Sequence, residues 1–389
     1  MDPREEKMKR SLEIGTYFFK LGLTAFGGAT AHIALMENDL VRKRKWVTEE
    51  EFLDFVSVTN LIPGPNSTEM ALHLGKVRGG WLGFFVGGLA FILPAFLLVS
   101  LLAYFYIELN QLPQVDHLFK GMRPVIIAIL LQTLMNLRKG VFKNNYLLAT
   151  TIAAFLLMLG LGHETQIFIL AGLGYAGWVN FSRIKGKGHA LWSQLSVYPL
   201  TSYVQASPVA PMACNQIPSL TFLFVSFFKI GSMLYGSGHA LIGLMRPFFV
   251  ENSLFLTERQ LLDAVAIGQF TPGPILTTAT FIGHLLLGWR GALISTVAIF
   301  LPGFFFVGIS GLFIPKIKKS KMVRSLLDGF NAGSYALIAF LTVQLSPYAL
   351  NNMSGKGIFL LAAFLLIKVK IPSFWVIVGG SLAGLISYS

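Results

Sequence analysis

The chain has 389 residues, of which 54% are hydrophobic and only 13% are charged. A soluble domain carries about one quarter charged residues, so this composition excludes an ordinary soluble protein and favours a chain that is solvated by lipid. The net charge of +13 does not indicate nucleic-acid binding, because the basic residues form short clusters between apolar runs. Cytoplasmic loops of membrane proteins have this pattern.

The first half of the chain predicts two interrupted apolar segments followed by one long helix. The first segment is interrupted at Phe26-Gly27-Gly28 and the second at Pro63-Gly64-Pro65. Proline removes a backbone donor and glycine permits positive φ, so each segment is expected to be two short helices with an unwound middle. The long helix, 81–106, is uncharged over enough residues to span a bilayer. Shorter helices are predicted at about 121–137, 146–160 and 164–181.

The second half repeats the first at an offset of 209 residues, which becomes 208 after one deletion. Chance does not align prolines, glycines and tryptophans in this way. We therefore predict a first transmembrane repeat over 1–183, a connector over 184–217 and a second repeat over 218–389. The matched pairs are Phe18-Phe19-Lys20 with Phe227-Phe228-Lys229, Thr48 with Thr257, Asp54 with Asp263, Pro63-Gly64-Pro65 with Pro272-Gly273-Pro274, Gly80-Trp81 with Gly288-Trp289, and Leu93-Pro94 with Leu301-Pro302.

Half two accordingly has its first interruption at Tyr235-Gly236-Ser237-Gly238 and its second at Pro272-Gly273-Pro274. A long helix is predicted at 289–314. Shorter helices are predicted at about 326–347, 356–369 and 371–388.

The basic clusters indicate how the halves are oriented. Half one is basic at 42–45 and 76–78, whereas half two is basic at 316–324, after its long helix. If basic loops face the cytoplasm, the halves point in opposite directions. The predicted fold class is an all-α integral membrane protein of two inverted structural repeats, with broken or re-entrant helices at the pseudo-symmetric centre. The basic clusters of half one can all lie on the cytoplasmic side of the membrane only if both interrupted segments are re-entrant hairpins. The number of spans within 121–217 stays open.

Polar residues follow each interruption and are the predicted substrate ligands. A broken helix directs free backbone N–H groups and the positive end of its dipole at the gap. Hydroxyl and amide donors beside such helix ends suit a tetrahedral oxyanion. The alternative is a kink that only helps helices to pack. The predicted substrate-binding residues are Lys20, Gly27, Gly28, Thr30, His32, Asn66, Ser67, Thr68, Lys229, Gly236, Ser237, His239, Thr277 and Thr278, and the helix breaks are Pro63, Gly64, Pro65, Pro272, Gly273 and Pro274.

Two pairs of charged residues recur in the apolar segments. Lys20 and Lys229 occupy matching positions, where a lysine is costly and normally faces a partner or a cavity. We interpret them as cations that face the anion; the alternative is that they snorkel to the interface. Asp54 and Asp263 are proton-coupling candidates, and a structural ion pair is an interpretation of equal weight.

Glu69 is a third proton-coupling candidate, without a counterpart in half two. The alternative is that it pairs with His73 or Lys76. His32 and His239 follow the first interruptions and are interpreted as anion ligands or proton relays. A histidine that only satisfies a local hydrogen bond is an equally good interpretation.

The chain resembles the chromate ion transporter family, in its long two-domain form, over nearly its whole length. The resemblance implies export of chromate, taken as a sulfate mimic, driven by the proton motive force. It also leads us to expect a neutral residue where this chain has Glu69. The motifs that carry it are Phe26-Gly27-Gly28 with Ala31-His32-Ile33, Trp46, Phe52-Leu53-Asp54, Leu61-Ile62-Pro63-Gly64-Pro65 with Ser67-Thr68, Gly79-Gly80 and Leu93-Pro94, and in half two Gly236-Ser237-Gly238-His239, Thr271-Pro272-Gly273-Pro274, Gly288-Trp289 and Leu301-Pro302-Gly303.

The predicted function is a secondary active transporter that exports chromate, a sulfate-like oxyanion, across the cell membrane of a bacterium or archaeon. Its expected partners are chromate or sulfate, protons and the lipid bilayer, with no nucleic acid and with a homodimer left open. The alternatives are a channel or exchanger for sulfate or another inorganic anion and, less favoured, a lipid-modifying membrane enzyme. With a single cysteine, Cys214, and no catalytic constellation, the sequence predicts no catalytic residue, no metal site and no cofactor.

Overall fold

The computed structural model describes residues 3–109, 112–142, 145–160, 218–235, 238–251, 253–310 and 321–388. The helix predicted at 164–181 and the connector at 184–217 lie outside these ranges. The described α-helices are α1 (Pro3–Thr24), α2 (Gly28–Met36), α3 (Glu49–Thr59), α4 (Asn66–Leu109), α5 (Pro113–Val141), α6 (Asn145–Gly160), α7 (Leu220–Met233), α8 (Ala240–Arg246), α9 (Glu258–Phe270), α10 (Thr278–Ser310), α11 (Lys321–Ala349), α12 (Met353–Phe364) and α13 (Ser373–Tyr388). π-Helical turns continue α2 (Glu37–Lys43), α8 (Pro247–Glu251) and α12 (Leu365–Val369), and a 3₁₀ turn (Ile275–Thr277) precedes α10.

Three of the described helical stretches are long and apolar enough to cross a membrane: Asn66–Leu109, Pro113–Arg138 and Ile275–Ser310. Large apolar side chains on α4, such as Leu89 and Leu97, are exposed. Lipid solvates such side chains, whereas water would not favour so large a patch. The prediction of an all-α integral membrane protein is therefore confirmed.

The two longest helices, α4 and α10, each reverse direction at a tight turn. In α4 the turn is at Gly79 (φ −135°, ψ 16°) and Gly80 (φ 64°, ψ −149°). In α10 it is at Leu287 (φ −137°, ψ 25°) and Gly288 (φ 58°, ψ −150°). The two turns are equivalent at the offset of 208, and their backbone angles agree within about 10°. We call the arms α4a (66–78), α4b (81–109), α10a (278–286) and α10b (289–310).

Glycines let the two arms of each hairpin touch. A β-carbon on Gly75 or Gly83 would overlap the carbonyl oxygen of the other residue, and the same holds for Gly283 and Gly291. Only glycine permits such close backbone approach. The glycines at positions 79, 83 and 87 recur every four residues, a spacing typical of helix packing, but Gly79 belongs to the hairpin turn.

The first interrupted segment of half one also doubles back. Trp46 Nε1 donates a hydrogen bond of 3.2 Å to Glu13 on α1. Arg78, at the end of α4a, donates to the same carboxylate at 2.9 Å, and Arg44 lies 3.6 Å from it. The basic clusters at 42–45 and 76–78 therefore lie together. We call this part of the molecule the Glu13 end, defined by Glu13, Arg44, Trp46 and Arg78.

The arms α4b and α10b pack side by side and run antiparallel. Lys76 Nζ, beside the α4 turn, donates to the carbonyl of Gly308 near the end of α10b at 3.4 Å. At the other end of α4b, the ring of Tyr106 lies 5.2 Å from that of Phe281 on α10a, seven residues before the α10 turn at Gly288. The start of one long arm therefore meets the end of the other.

Helix α5 is the central packing partner of α11, α12 and α13. It is longer than the predicted 121–137. A β-carbon on Gly121 would overlap the carbonyl of Gly380, so α13 crosses α5 at backbone contact. Tyr388 donates to Asn352 at 2.8 Å, which makes α12 and α13 a further hairpin. Its turn places Phe374 against Phe26, with ring centroids 4.3 Å apart.

We predict that Gly83→Ala destabilises the protein, because the added methyl group overlaps the carbonyl of Gly75. Overpacking of this kind costs about 1–3 kcal/mol. The matched control is Gly379→Ala, an exposed helical position whose added methyl meets nothing within 4 Å. Thermal unfolding in detergent, followed by size-exclusion chromatography, should show a lower midpoint for Gly83→Ala alone. Equal midpoints for the two variants would contradict the hairpin.

Candidate functional site

The four interruptions lie together, and each pairs with an interruption of the other half. The Gly64 N–H donates to Leu234 O at 2.9 Å, and the Gly273 N–H donates to Ala25 O at 3.0 Å. Gly64 and Gly273 are equivalent at the offset of 209, as are Ala25 and Leu234. The Pro-Gly-Pro of each half is therefore docked on the first interruption of the other half. We call these two contacts the cross-pairs.

The sequence Pro-Gly-Pro explains why the cross-pairs form. Proline has no backbone N–H, so the glycine carries the one backbone donor of each tripeptide. At membrane depth that donor must find a protein partner. Gly64 has φ of 144° and Gly273 has φ of 95°, which favours glycine. A β-carbon on Gly273 would lie 2.9 Å from that of Ala95, so a side chain is also excluded sterically.

The N-terminal ends of two short helices from different halves approach the same point. α2 begins at Gly28, and α8 begins directly after His239. A β-carbon on Gly28 would lie 3.5 Å from Ile275 Cδ1, and one on Gly238 would lie 3.8 Å from the same atom. The backbone donors at the two helix starts therefore flank Ile275, next to the Pro-Gly-Pro of half two. Gly236 and Ser237 lie outside the described residues.

His32 supports one cross-pair from the side. It is 1% exposed, and its Nε2 lies 3.1 Å from Ala25 O. A carbonyl oxygen can only accept, so Nε2 is the donor and Ala25 O accepts bonds from both His32 and Gly273. The remaining ring nitrogen, Nδ1, is buried without a hydrogen-bond partner among the described residues. A buried acceptor without a partner is unusual and marks this position for a role beyond packing.

Glu69 is a fully buried carboxyl group at the other cross-pair. Neither of its oxygens has a hydrogen-bond partner in the described part of the chain. The carboxyl lies against Gly64, where a β-carbon would overlap Oε1. The alternative partners are engaged elsewhere: His73 stacks on Phe55 with centroids 5.0 Å apart, and Lys76 Nζ lies 4.0 Å from the ring centre of Trp81.

The two equivalent aspartates have different surroundings. Asp263 is buried and accepts two hydrogen bonds from Arg123, at 2.8 and 2.9 Å, and one from Tyr106 at 3.0 Å. Asp54 is exposed. Asp263 thus has the geometry of a structural ion pair that fixes α9 to α5 and α4b. Sequence reasoning missed Arg123, although a single arginine within the predicted apolar helix 121–137 was a usable signal.

The hydroxyl groups after the Pro-Gly-Pro motifs are held close to the interruptions. Thr277 donates to Pro274 O and Thr278 to Ile275 O, both at 2.9 Å. Ser67 and Thr68 are buried, and Thr68 Oγ1 has no hydrogen-bond partner among the described residues. Asn66 is partly buried and donates to the amide oxygen of Asn60 at 2.7 Å, outside the cross-pairs.

The predicted cationic ligands are not brought into this arrangement. Lys20 and Lys229 are exposed on α1 and α7, and neither forms an ion pair within the described ranges. Thr30 is also exposed. The helical face that carries each lysine points away from the core, because Phe18 and Phe227 occupy the buried face. The structure therefore gives the helix ends, rather than these lysines, as the positive groups nearest the interruptions.

Comparison with known proteins identifies the family. The family model described as "Chromate transporter" matches residues 12–178 and 221–385, which are the two halves. The chain belongs to the chromate transporter family. This is a family of membrane transporters, so this member is a multi-pass transporter and not an enzyme.

Named relatives match nearly the full length of this chromate transporter family member. The chromate transport protein of Cupriavidus metallidurans is 28% identical over 96% of this chain and 92% of its own. The probable chromate transport protein of Synechococcus elongatus is 29% identical over 97% and 95%. The chromate transport protein of Pseudomonas aeruginosa is 28% identical over 94% and 90%. No solved structure matches the chain.

We predict that Arg123→Gln strongly destabilises this transporter, because it leaves the buried carboxylate of Asp263 without its cation. Breaking a buried ion pair costs about 3–5 kcal/mol. The double variant Arg123→Gln, Asp263→Asn should recover part of the loss, since both charges are then removed. Thermal unfolding of the detergent-solubilised protein measures both effects. A single variant that melts like the wild type would show that the pair has no structural role.

Proposed function

We propose that this chain is a secondary active transporter that exports chromate, or a similar divalent oxyanion such as sulfate, from the cytoplasm with energy from the proton motive force. The proposal rests on the two cross-pairs, Gly64 with Leu234 and Gly273 with Ala25. They gather interrupted helices of both halves at one place. Relatives named as chromate transport proteins support the substrate.

In this proposal the two halves are inverted repeats. Support comes from the antiparallel arms α4b and α10b, whose equivalent turns lie at opposite ends of the described molecule. The Glu13 end carries the basic clusters and so faces the cytoplasm under the positive-inside rule. Rocking of one half against the other, around the cross-pairs, then exposes the centre to each side in turn.

The oxyanion is held by backbone donors in this scheme. The starts of α2, α4a and α10a supply N–H groups and positive dipole ends, which are suited to anions. The hydroxyl of Thr68 and the nearby Thr277 and Thr278 add neutral donors. Lys20 and Lys229 are left out of the direct contacts because they are exposed. His32 acts as a positioning residue that fixes Ala25 O.

Glu69 carries the coupling proton in the proposed mechanism. It is buried beside the Gly64 cross-pair and has no cation to balance it within the described residues. Intramembrane carboxyl groups of this kind are typical of proton relays. Inward flow of protons drives export of the anion only if proton and oxyanion cross in opposite directions. In this scheme Glu69 therefore holds its proton on the half of the cycle in which the oxyanion is absent.

We predict that Glu69→Gln abolishes the dependence of transport on the pH gradient but leaves anion exchange intact, since glutamine imitates the protonated acid. The measurement is uptake of labelled chromate and sulfate into everted membrane vesicles, with and without a pH gradient. The matched control is Glu50→Gln, which removes an exposed carboxylate from α3. The control should behave like the wild type.

The same vesicles separate the alternatives. If the wild type carries neither anion, the proposed function is wrong. If it carries an anion with no response to the pH gradient, the channel or exchanger is the better description. If Glu69→Gln keeps the full response to the gradient, another group carries the proton.

A further inference from the structure

A basic cavity opens at the end of the molecule opposite the Glu13 end. It encloses about 40 Å³, and Lys120, Arg123 and Arg259 line it together with polar groups of Tyr348, Asn351 and Tyr388. α5, the first turn of α9, and the ends of α11 and α13 bring these side chains together. None of the three cations belongs to the central arrangement of interruptions.

The position of the cavity follows from the hydrogen bonds of Asp263. Arg123 lines the cavity and binds Asp263, which in turn accepts a bond of 3.0 Å from Tyr106. Tyr106 is near the end of α4b, and Trp81, at its start, lies beside the Glu13 end. The cavity therefore lies about one membrane thickness away from that end, since α4b covers more than 20 residues at roughly 1.5 Å each.

The charges that face the cavity do not balance. Lys120 pairs with Asp116 at 2.8 Å, and Arg123 pairs with Asp263 at 2.8 Å. Arg259 is exposed and makes no ion pair with any described residue. Three cations thus meet two carboxylates, and one positive charge is left over. The unbalanced positive charge is that of the Arg259 guanidinium group, whose planar set of N–H donors fits two oxygens of an oxyanion.

We infer that this cavity is a second binding site for a divalent tetrahedral oxyanion, on the route between the central site and the external medium. The inference rests on the proposed function for the nature of the anion. Helix α9 joins the two places: Asp263, held by Arg123, is eight residues from Thr271, where the chain enters the Pro-Gly-Pro of half two. That separation is about 12 Å along a helix.

The test compares Arg259→Gln with Arg290→Gln. Arg290 is exposed beside the α10 turn, at the same end of the molecule but outside the cavity, so the two variants make the same change of charge. Labelled sulfate or chromate is offered to right-side-out vesicles, in which the cavity faces the medium, and to everted vesicles, in which it does not. The KM and the maximal rate of anion exchange are measured in both.

Arg259→Gln should raise the KM in right-side-out vesicles by roughly two- to fivefold, the effect of losing one exposed charge-assisted contact. The maximal rate and the KM in everted vesicles should stay unchanged. The KM of Arg259→Lys in right-side-out vesicles should lie between those of the wild type and Arg259→Gln, because lysine keeps the charge but lacks the forked donor geometry of arginine. If Arg259→Gln and Arg290→Gln give the same KM on both sides, the inference is overturned.

A direct binding measurement distinguishes a failure of this inference from a failure of the proposed function. If the wild type transports neither anion, equilibrium dialysis of labelled sulfate against the purified full-length protein decides the inference. Loss of a bound sulfate in Arg259→Gln but not in Arg290→Gln supports the cavity as an anion site. Equal binding by both variants, or no binding by the wild type, overturns it.

Discussion

Two backbone hydrogen bonds, from Gly64 to Leu234 and from Gly273 to Ala25, are the constraint on which the rest of the structure depends. In lipid, an unpaired backbone N–H costs several kcal/mol. Non-helical backbone therefore occurs at membrane depth only where the protein supplies a hydrogen-bond acceptor. Each Pro-Gly-Pro has one backbone donor, and in each case the partner comes from the other half. Neither half can therefore satisfy its own interruption, and the centre exists only when both are assembled.

The halves share a backbone design but differ in chemistry, both at the cross-pairs and at the ends of the long helices. Glu69 is equivalent to Thr278 in half two, so one cross-pair has a carboxyl group and the other a hydroxyl. The polar contact of Glu13 with Trp46 is replaced by an aromatic contact of Phe222 with Phe255, whose ring centroids are 5.4 Å apart. These substitutions give equivalent positions of the two halves different polarity.

Local patterns in the sequence predicted much of this arrangement. Proline and glycine fix backbone conformation within a few residues, so the interruptions and the repeat could be found without a structure. The positions of Lys20 and Lys229 could not be decided, because facing lipid or facing a cavity depends on which helices pack beside α1 and α7. The pairing of Asp263 with Arg123 joins residues 140 apart in the chain and has no local signal. The turn at Gly80 lies directly before residue 81, where the sequence predicts that the long helix begins.

Disulfide cross-linking tests the meeting of the interruptions most directly. In a Cys214→Ser background, Glu69→Cys and Gly303→Cys place one thiol just after the second interruption of half one and the other on α10b of half two. A β-carbon on Gly303 lies 3.9 Å from Glu69 Cγ, the position that a cysteine sulfur takes, so a disulfide can form with little movement. We predict rapid cross-linking in native membranes under mild oxidation, and none for the control pair Glu69→Cys with Gly379→Cys. Cross-linking no faster than in the control pair would contradict the account.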